Sequence, residues 1–133
     1  MPSAEEVLAH YKSEWETKIR NMQPGRDLDA LVMRTVFKAE KKDIGDECYW
    51  VSEIYGEEVC WPRWFSPSTD IAAAWEVFEL NGVQGHIAYQ GNEYVCILWA
   101  KWDEKGIGVH VTARGDTAPE AICKAALLAV MEE

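Results

Sequence analysis

Apolar residues recur at helical spacing near the start of the chain. Val7, Leu8, Tyr11, Trp15, Ile19 and Met22 share one side, while Glu5, Lys12, Glu16 and Arg20 take the other, a pattern that predicts an amphipathic helix over residues 3–22. Ser3 and Glu6 have the spacing at which each side chain accepts from the other's backbone N–H, and Pro24-Gly25 ends the helix. A shorter second helix is expected after Asp27, with Leu28, Leu31, Val32 and Val36 on one face. Residues 39–46 are polar and read as a loop. From Cys48 to Phe65 the chain is rich in aromatics and interrupted by Gly56 and Pro62, which suits one or two short strands.

The second half has a clearer rhythm. Ser68 is placed to cap a helix running to about Leu80, with Asp70 in its first turn, where the helix dipole favours an anion. Ile71, Ala74, Trp75 and Phe78 form its expected core stripe, and Asn81-Gly82 its end. Three strand-like runs follow, Val83–Gln90, Glu93–Trp102 and Gly106–Arg114, joined by short polar links around Gly91-Asn92 and Asp103-Glu104-Lys105. An antiparallel meander is the economical reading. The middle run is apolar on both faces, as suits a central strand covered on both sides. Thr117 and Glu120 then form a second capping box, with Pro119 in the first turn of a final helix whose Ala121, Ala125, Ala126 and Ala129 let it lie close on the sheet. Glu120 and Lys124 add an i, i+4 pair. The expected class is α+β: an antiparallel sheet of three to four strands packed with helices, α-β-β-β-α in the second half.

Composition narrows the function. The 133 residues suit one domain, and the seven tryptophans are expected mostly in the core. Residues 1–42 carry eight Lys/Arg against seven Asp/Glu, and residues 43–133 five against sixteen, which together make the net charge of −10. A field of that sign repels a phosphate backbone, so generic nucleic-acid binding is not expected. No apolar run approaches the roughly 20 residues of a membrane span. The acidic start lacks a signal-peptide core, and Cys48, Cys60, Cys96 and Cys123 form no CxxC pair. They read as reduced, buried thiols of a cytoplasmic protein.

Two stretches, Ser68–Val77 and Asp116–Leu127, with Leu28-Asp29-Ala30-Leu31-Val32 ahead of them, resemble the phage ABA sandwich domain family. The resemblance covers roughly residues 25–133 and implies a fold and a phage or prophage origin, hence the host bacterial cytoplasm as compartment. It implies no catalytic residues. Residues 1–24 read as a helical extension of a domain over 25–133. Trp75 is expected in the core, and Ser68 and Thr117 as caps. The α-β-β-β-α order also resembles the double-stranded RNA-binding fold, but Asp116, Thr117, Pro119 and Glu120 stand where that fold's final helix carries phosphate-clamping lysines. RNA binding is therefore not expected.

No metal spacing links His10, His86 and His110, and no nucleophile elbow, Walker loop or dinucleotide fingerprint is present. Paired acids such as Glu57-Glu58 and Asp103-Glu104 read as solvated links. No catalytic residue, metal or cofactor is assigned. The candidate binding segment runs from Trp50 to Phe65, with Trp50, Tyr55, Trp61, Arg63 and Trp64 as ligand contacts and Ser68 offering a helix N-terminus to an anion. Rings stack on nucleobases and arginine grips phosphate at two points. The competing reading is that these aromatics bury a sheet edge. Three functions follow: a phage accessory protein that binds a host protein, with counter-defence as the expected role; a sponge that sequesters a small (cyclic) nucleotide signal; and an enzyme on a small phosphorylated substrate, for which no constellation is visible in the sequence. A homo-oligomer is open in each case.

Overall fold

The computed structural model describes residues 3–42, 45, 47–54, 56–80, 85–102 and 108–131. Helices α1 (Ala4–Asn21) and α2 (Arg26–Thr35) lead into a sheet of β1 (Glu40–Lys41), β2 (Trp50–Ile54) and β3 (Glu57–Trp61). Helix α3 (Ile71–Leu80) follows, then a sheet of β4 (Gly85–Gln90), β5 (Glu93–Trp102) and β6 (Gly108–Gly115), and helix α4 (Ala118–Met131). Both sheets are antiparallel, in the orders β1-β2-β3 and β4-β5-β6. The α+β class and the α-β-β-β-α second half are as expected. The stretch read as a loop instead contributes β1, so the first half holds a complete second sheet. Glu57-Glu58, read as a polar link, lies within β3, where Glu58 stands opposite Glu53.

In the second sheet β5 is central. Cys96 lies between Ile87 and Ala113, and Leu98 between Gly85 and Val111, making the face on which α4 packs. Gly91 and Asn92 both take positive φ, 55° and 76°, which closes the β4–β5 hairpin with the twist its strands require. The opposite face is less covered than a strand apolar on both sides suggests: Val95 is buried, Ile97 half-buried, and Trp99 exposed against His110. Asn81-Gly82 and Asp103-Glu104-Lys105 lie outside the described residues.

Helix α4 is the hub of the core, buried from Pro119 to Ala129 between β5 and β6 on one side and α1, α2 and α3 on the others. A helix so placed must be apolar or small all round, as its alanines are. Gly115 lets β6 meet the first turn, since a Cβ there would stand 2.9 Å from the Ala121 nitrogen. The cap is close to expectation: the Glu120 N–H donates to Thr117 Oγ1 (3.3 Å), while its carboxylate accepts from the Asp116 N–H (3.2 Å). The Glu120–Lys124 pair forms at 2.6 Å and is buried, with Lys124 Nζ also donating to the Arg20 carbonyl at 2.9 Å. It thereby bolts α4 to the end of α1.

Several expectations are corrected. Trp50 and Trp61 are buried, but Trp15, Trp64, Trp75 and Trp99 are exposed. Helix α3 buries Ala73, Ala74, Val77 and Phe78, so Ile71 and Trp75 face outward, with Trp75 stacked on Phe78 at 5.0 Å. Two adjacent alanines let α3 press against α4, and that close approach outweighs the area Trp75 would bury. The cap of α3 is Asp70, whose Oδ1 accepts from the Ala72 N–H at 3.2 Å, and not Ser68. Cys48 and Cys60 form a disulfide, their Cα atoms 5.0 Å apart, and only Cys96 and Cys123 are free buried thiols. The β2–β3 hairpin brings together two cysteines that linear spacing leaves unrelated.

Candidate functional site

Helix α2 has two working faces. Leu28, Val32 and Met33 are buried in the core, whereas Arg26, Ala30 and Arg34, at i, i+4 and i+8, line a cleft of about 700 Å³. The opposite wall comes from Lys41 of β1, Tyr49 and Trp50 at the start of β2, and Arg63, Trp64, Phe65 and Ser66 after β3. The hairpin thus returns the chain beside α2 and sets rings and cations facing one volume.

Within it the cations sit over rings. Arg34 lies 5.5 Å from the centre of the Trp50 indole, and Lys41 and Arg63 each lie 4.9 Å from the centre of the Tyr49 ring. Tyr49 and Trp50 meet edge to face at 5.7 Å. Such stacking holds each cation over a ring face at the border of the cleft. The ion pairs formed by the described residues, such as Arg114–Glu93 and Lys42–Glu40, use none of Arg26, Arg34 or Lys41. Trp64 stands 65% exposed at the rim, an indole face open to a flat partner.

Two carboxylates, Asp27 and Asp29, also reach the cleft, but Asp29 is buried and committed. Its Oδ2 accepts from Ser66 Oγ and its Oδ1 from the Ser68 N–H, both at 2.7 Å. Ser68 Oγ in turn accepts from the Gly25 N–H at 2.9 Å. Gly25 takes φ +146° just before α2, a conformation that L side chains rarely adopt. These bonds clamp residues 66–68 to the start of α2 and fix the width of the cleft.

Of the residues singled out by sequence, Trp50, Arg63 and Trp64 come together here. Trp61 does not: it is buried against Phe37 and Phe65, both at 4.8 Å between ring centres, and supports the cleft from beneath. Among the described residues its indole N–H has no acceptor. Ser68 is a tertiary clamp, with its N–H spent on Asp29 and not offered to an anion. Tyr55 lies outside the described residues. Arg26, Arg34, Lys41 and Tyr49 were missed. The signal for the first two was a polar stripe at helical spacing opposite an apolar one, and for Lys41 the concentration of basic residues before position 43.

The other reactive groups are elsewhere. Burial pushes the Cys96 thiol up to about 12. Burial, reinforced by the nearby Asp29 charge and by Cys96, raises Cys123 well above the ordinary thiol value. Both stay protonated and inert at neutral pH. Among the described residues no cluster of His, Cys, Asp and Glu could hold a metal ion, and no helix is long and apolar enough to cross a membrane.

Comparison with known proteins adds two matches. The model of the phage ABA sandwich domain family matches residues 4–127, a span that takes in α1. The crystal structure of a phage protein from Bacillus cereus ATCC 14579 is similar at a TM-score of 0.52 and 27% identity, covering 82% of this chain and 94% of that one. No curated protein matches the chain.

Proposed function

Given that the chain belongs to the phage ABA sandwich domain family, we propose that it is a non-enzymatic phage protein that binds and sequesters a small nucleotide in the α2–hairpin cleft. One observation carries this reading: Arg26, Arg34, Lys41 and Arg63 converge with Tyr49, Trp50 and Trp64 around one cavity in a chain of net charge −10. Four cations gathered around one cavity repel one another. An anionic ligand turns that cost into affinity. The cavity falls within the usual range for small-molecule sites. Phosphate would take the guanidinium and ammonium groups, and a base would stack on Trp64 or Trp50.

The test is a thermal-shift screen of the whole chain against cyclic mono- and dinucleotides and ADP-ribose derivatives. The expected result is a rise in melting temperature with at least one of them, abolished by Arg63→Ala and by Arg34→Ala, with the ligand recovered intact. A converted ligand would replace the sponge with an enzyme. A flat screen would abandon the nucleotide and favour a host protein as target, to be sought by salt-dependent capture.

A further inference from the structure

Helix α1 is docked at one end only. Ile19 and Met22 enter the core, and Arg20 Nη1 donates to the Thr112 carbonyl at 2.8 Å. Two turns earlier the same stripe is in water, with Leu8 68% and Tyr11 58% exposed, followed by Trp15 at 44%. Where the stripe reaches the body of the molecule it borders an apolar groove of about 270 Å³ walled by Trp15, Ile19, Leu31, Leu127 and Met131. One chain therefore carries both an unfilled apolar groove and, two turns away along the same helix face, unburied apolar side chains.

Leu8, Tyr11 and Trp15 alternate in steps of three and four, the spacing of a two-helix seam, and the charges on α1 select its direction. The first turn holds Glu5 and Glu6, and the last holds Lys18 and Arg20. Two copies of α1 side by side in parallel would set like charges together, whereas antiparallel copies set Glu5 against Lys18. In the antiparallel register with Glu5 opposite Lys18, Leu8 falls opposite Trp15, at the mouth of the partner's groove. The two-fold axis then lies beside Tyr11. Apolar match, groove position and charge agree on a single register.

We infer that α1 is a homodimerisation element: two copies of this chain pair antiparallel through α1, each inserting Leu8 beside the other's Trp15. The contact is isologous, so it closes as a dimer and does not propagate. It is independent of the nucleotide reading, because the groove and the cleft lie on different sides of α2.

Light scattering coupled to size exclusion tests it at micromolar concentration. The whole chain should run with the mass of two copies. Leu8→Glu, at a position the isolated chain leaves exposed, should run as one, with an unchanged circular dichroism spectrum. Glu5→Lys alone should weaken the dimer, and combined with Lys18→Glu should restore it. Under mild oxidation Tyr11→Cys should cross-link across the axis. Leu8→Cys should not, unless Trp15→Cys is added. A monomeric wild-type chain overturns the proposal, and sedimentation of that monomer with phosphatidylcholine vesicles would give the stripe to a lipid surface instead. A dimer indifferent to Leu8→Glu, or cross-linking of Leu8→Cys as readily as Tyr11→Cys, overturns it as well.

Discussion

The molecule holds positive charge in two contrasting ways. In the core the Lys124 ammonium, 4% exposed, meets the Glu120 carboxylate at 2.6 Å and the Arg20 carbonyl at 2.9 Å. In the cleft Arg34, Lys41 and Arg63 lie over rings at the border of an open cavity. A buried ion is tolerated only when its partners are complete, so the first arrangement is a structural rivet. An ion over an aromatic face at the border of a cavity is held by the ring and not by a buried counter-charge, so the second arrangement is the one on which the proposed nucleotide site rests. The difference teaches that the environment of a cation, and not its presence, separates scaffold from site.

Four measurements break or sharpen that contrast. The largest effect belongs to the rivet. Glu120→Ala leaves Lys124 charged and buried and is expected to cost about 3–5 kcal/mol in urea unfolding. Glu120→Leu with Lys124→Met should recover most of that loss, and a single substitution as costly as the double would refute the account. Next, opening the Cys48–Cys60 disulfide, which spans 12 positions, should lower stability by about 3 kcal/mol by freeing a short loop in the unfolded chain. Equal denaturation midpoints with and without reductant would show that the bond does not form in solution.

The cleft should behave in the opposite sense to the rivet. Arg34→Ala and Arg63→Ala should change stability by less than about 0.5 kcal/mol, as surface substitutions do. They should weaken binding of a responding nucleotide about ten- to hundredfold, the worth of one charge-assisted contact. A variant that unfolds instead would make these arginines structural.

The smallest effect appears only in alkali. The Cys96 thiol is raised to about 12 by burial, and Cys123 is raised by burial, then Asp29 and Cys96. Below the ordinary thiol value both states are protonated and the stabilisation is fully present. Above it only the unfolded chain ionises, so stability falls as pH rises, by about 1.4 kcal/mol per thiol per unit at most. Nothing is lost toward acid from these groups. Cys96→Ala should flatten the decline, and fast labelling of native Cys96 or Cys123 by iodoacetamide at neutral pH would contradict their burial.

Periodicity was reliable where one element meets one neighbour. The meander β4-β5-β6, its Gly91-Asn92 turn and the α4 cap at Thr117 and Glu120 follow from local alternation and capping chemistry, which act within a few residues. It misled where the partner sets the rotation of a helix. The stripe through Ile71 and Trp75 is as regular as the buried one through Ala73, Ala74, Val77 and Phe78, and only the approach of α4 selects between them. The site was half legible. Trp50, Arg63 and Trp64 lie in an aromatic run that draws attention to itself, but Trp61 belongs to the same run and is core. Which ring faces the cavity depends on strand phase, and β2 and β3 could not be phased from their own residues.

The sequence by itself determined the α+β class, the order of the second half, the family resemblance and the acidic field, because each rests on local spacing or on summed composition. Only the tertiary structure decided that Cys48 meets Cys60, that Lys124 is buried, and that arginines of α2 face a lysine of β1 and an arginine beyond β3 across one cavity. Those pairings join residues far apart in the chain, and the hydrophobic collapse around α4 chooses them. That collapse counts apolar area wherever it lies and leaves no mark at the positions it brings together.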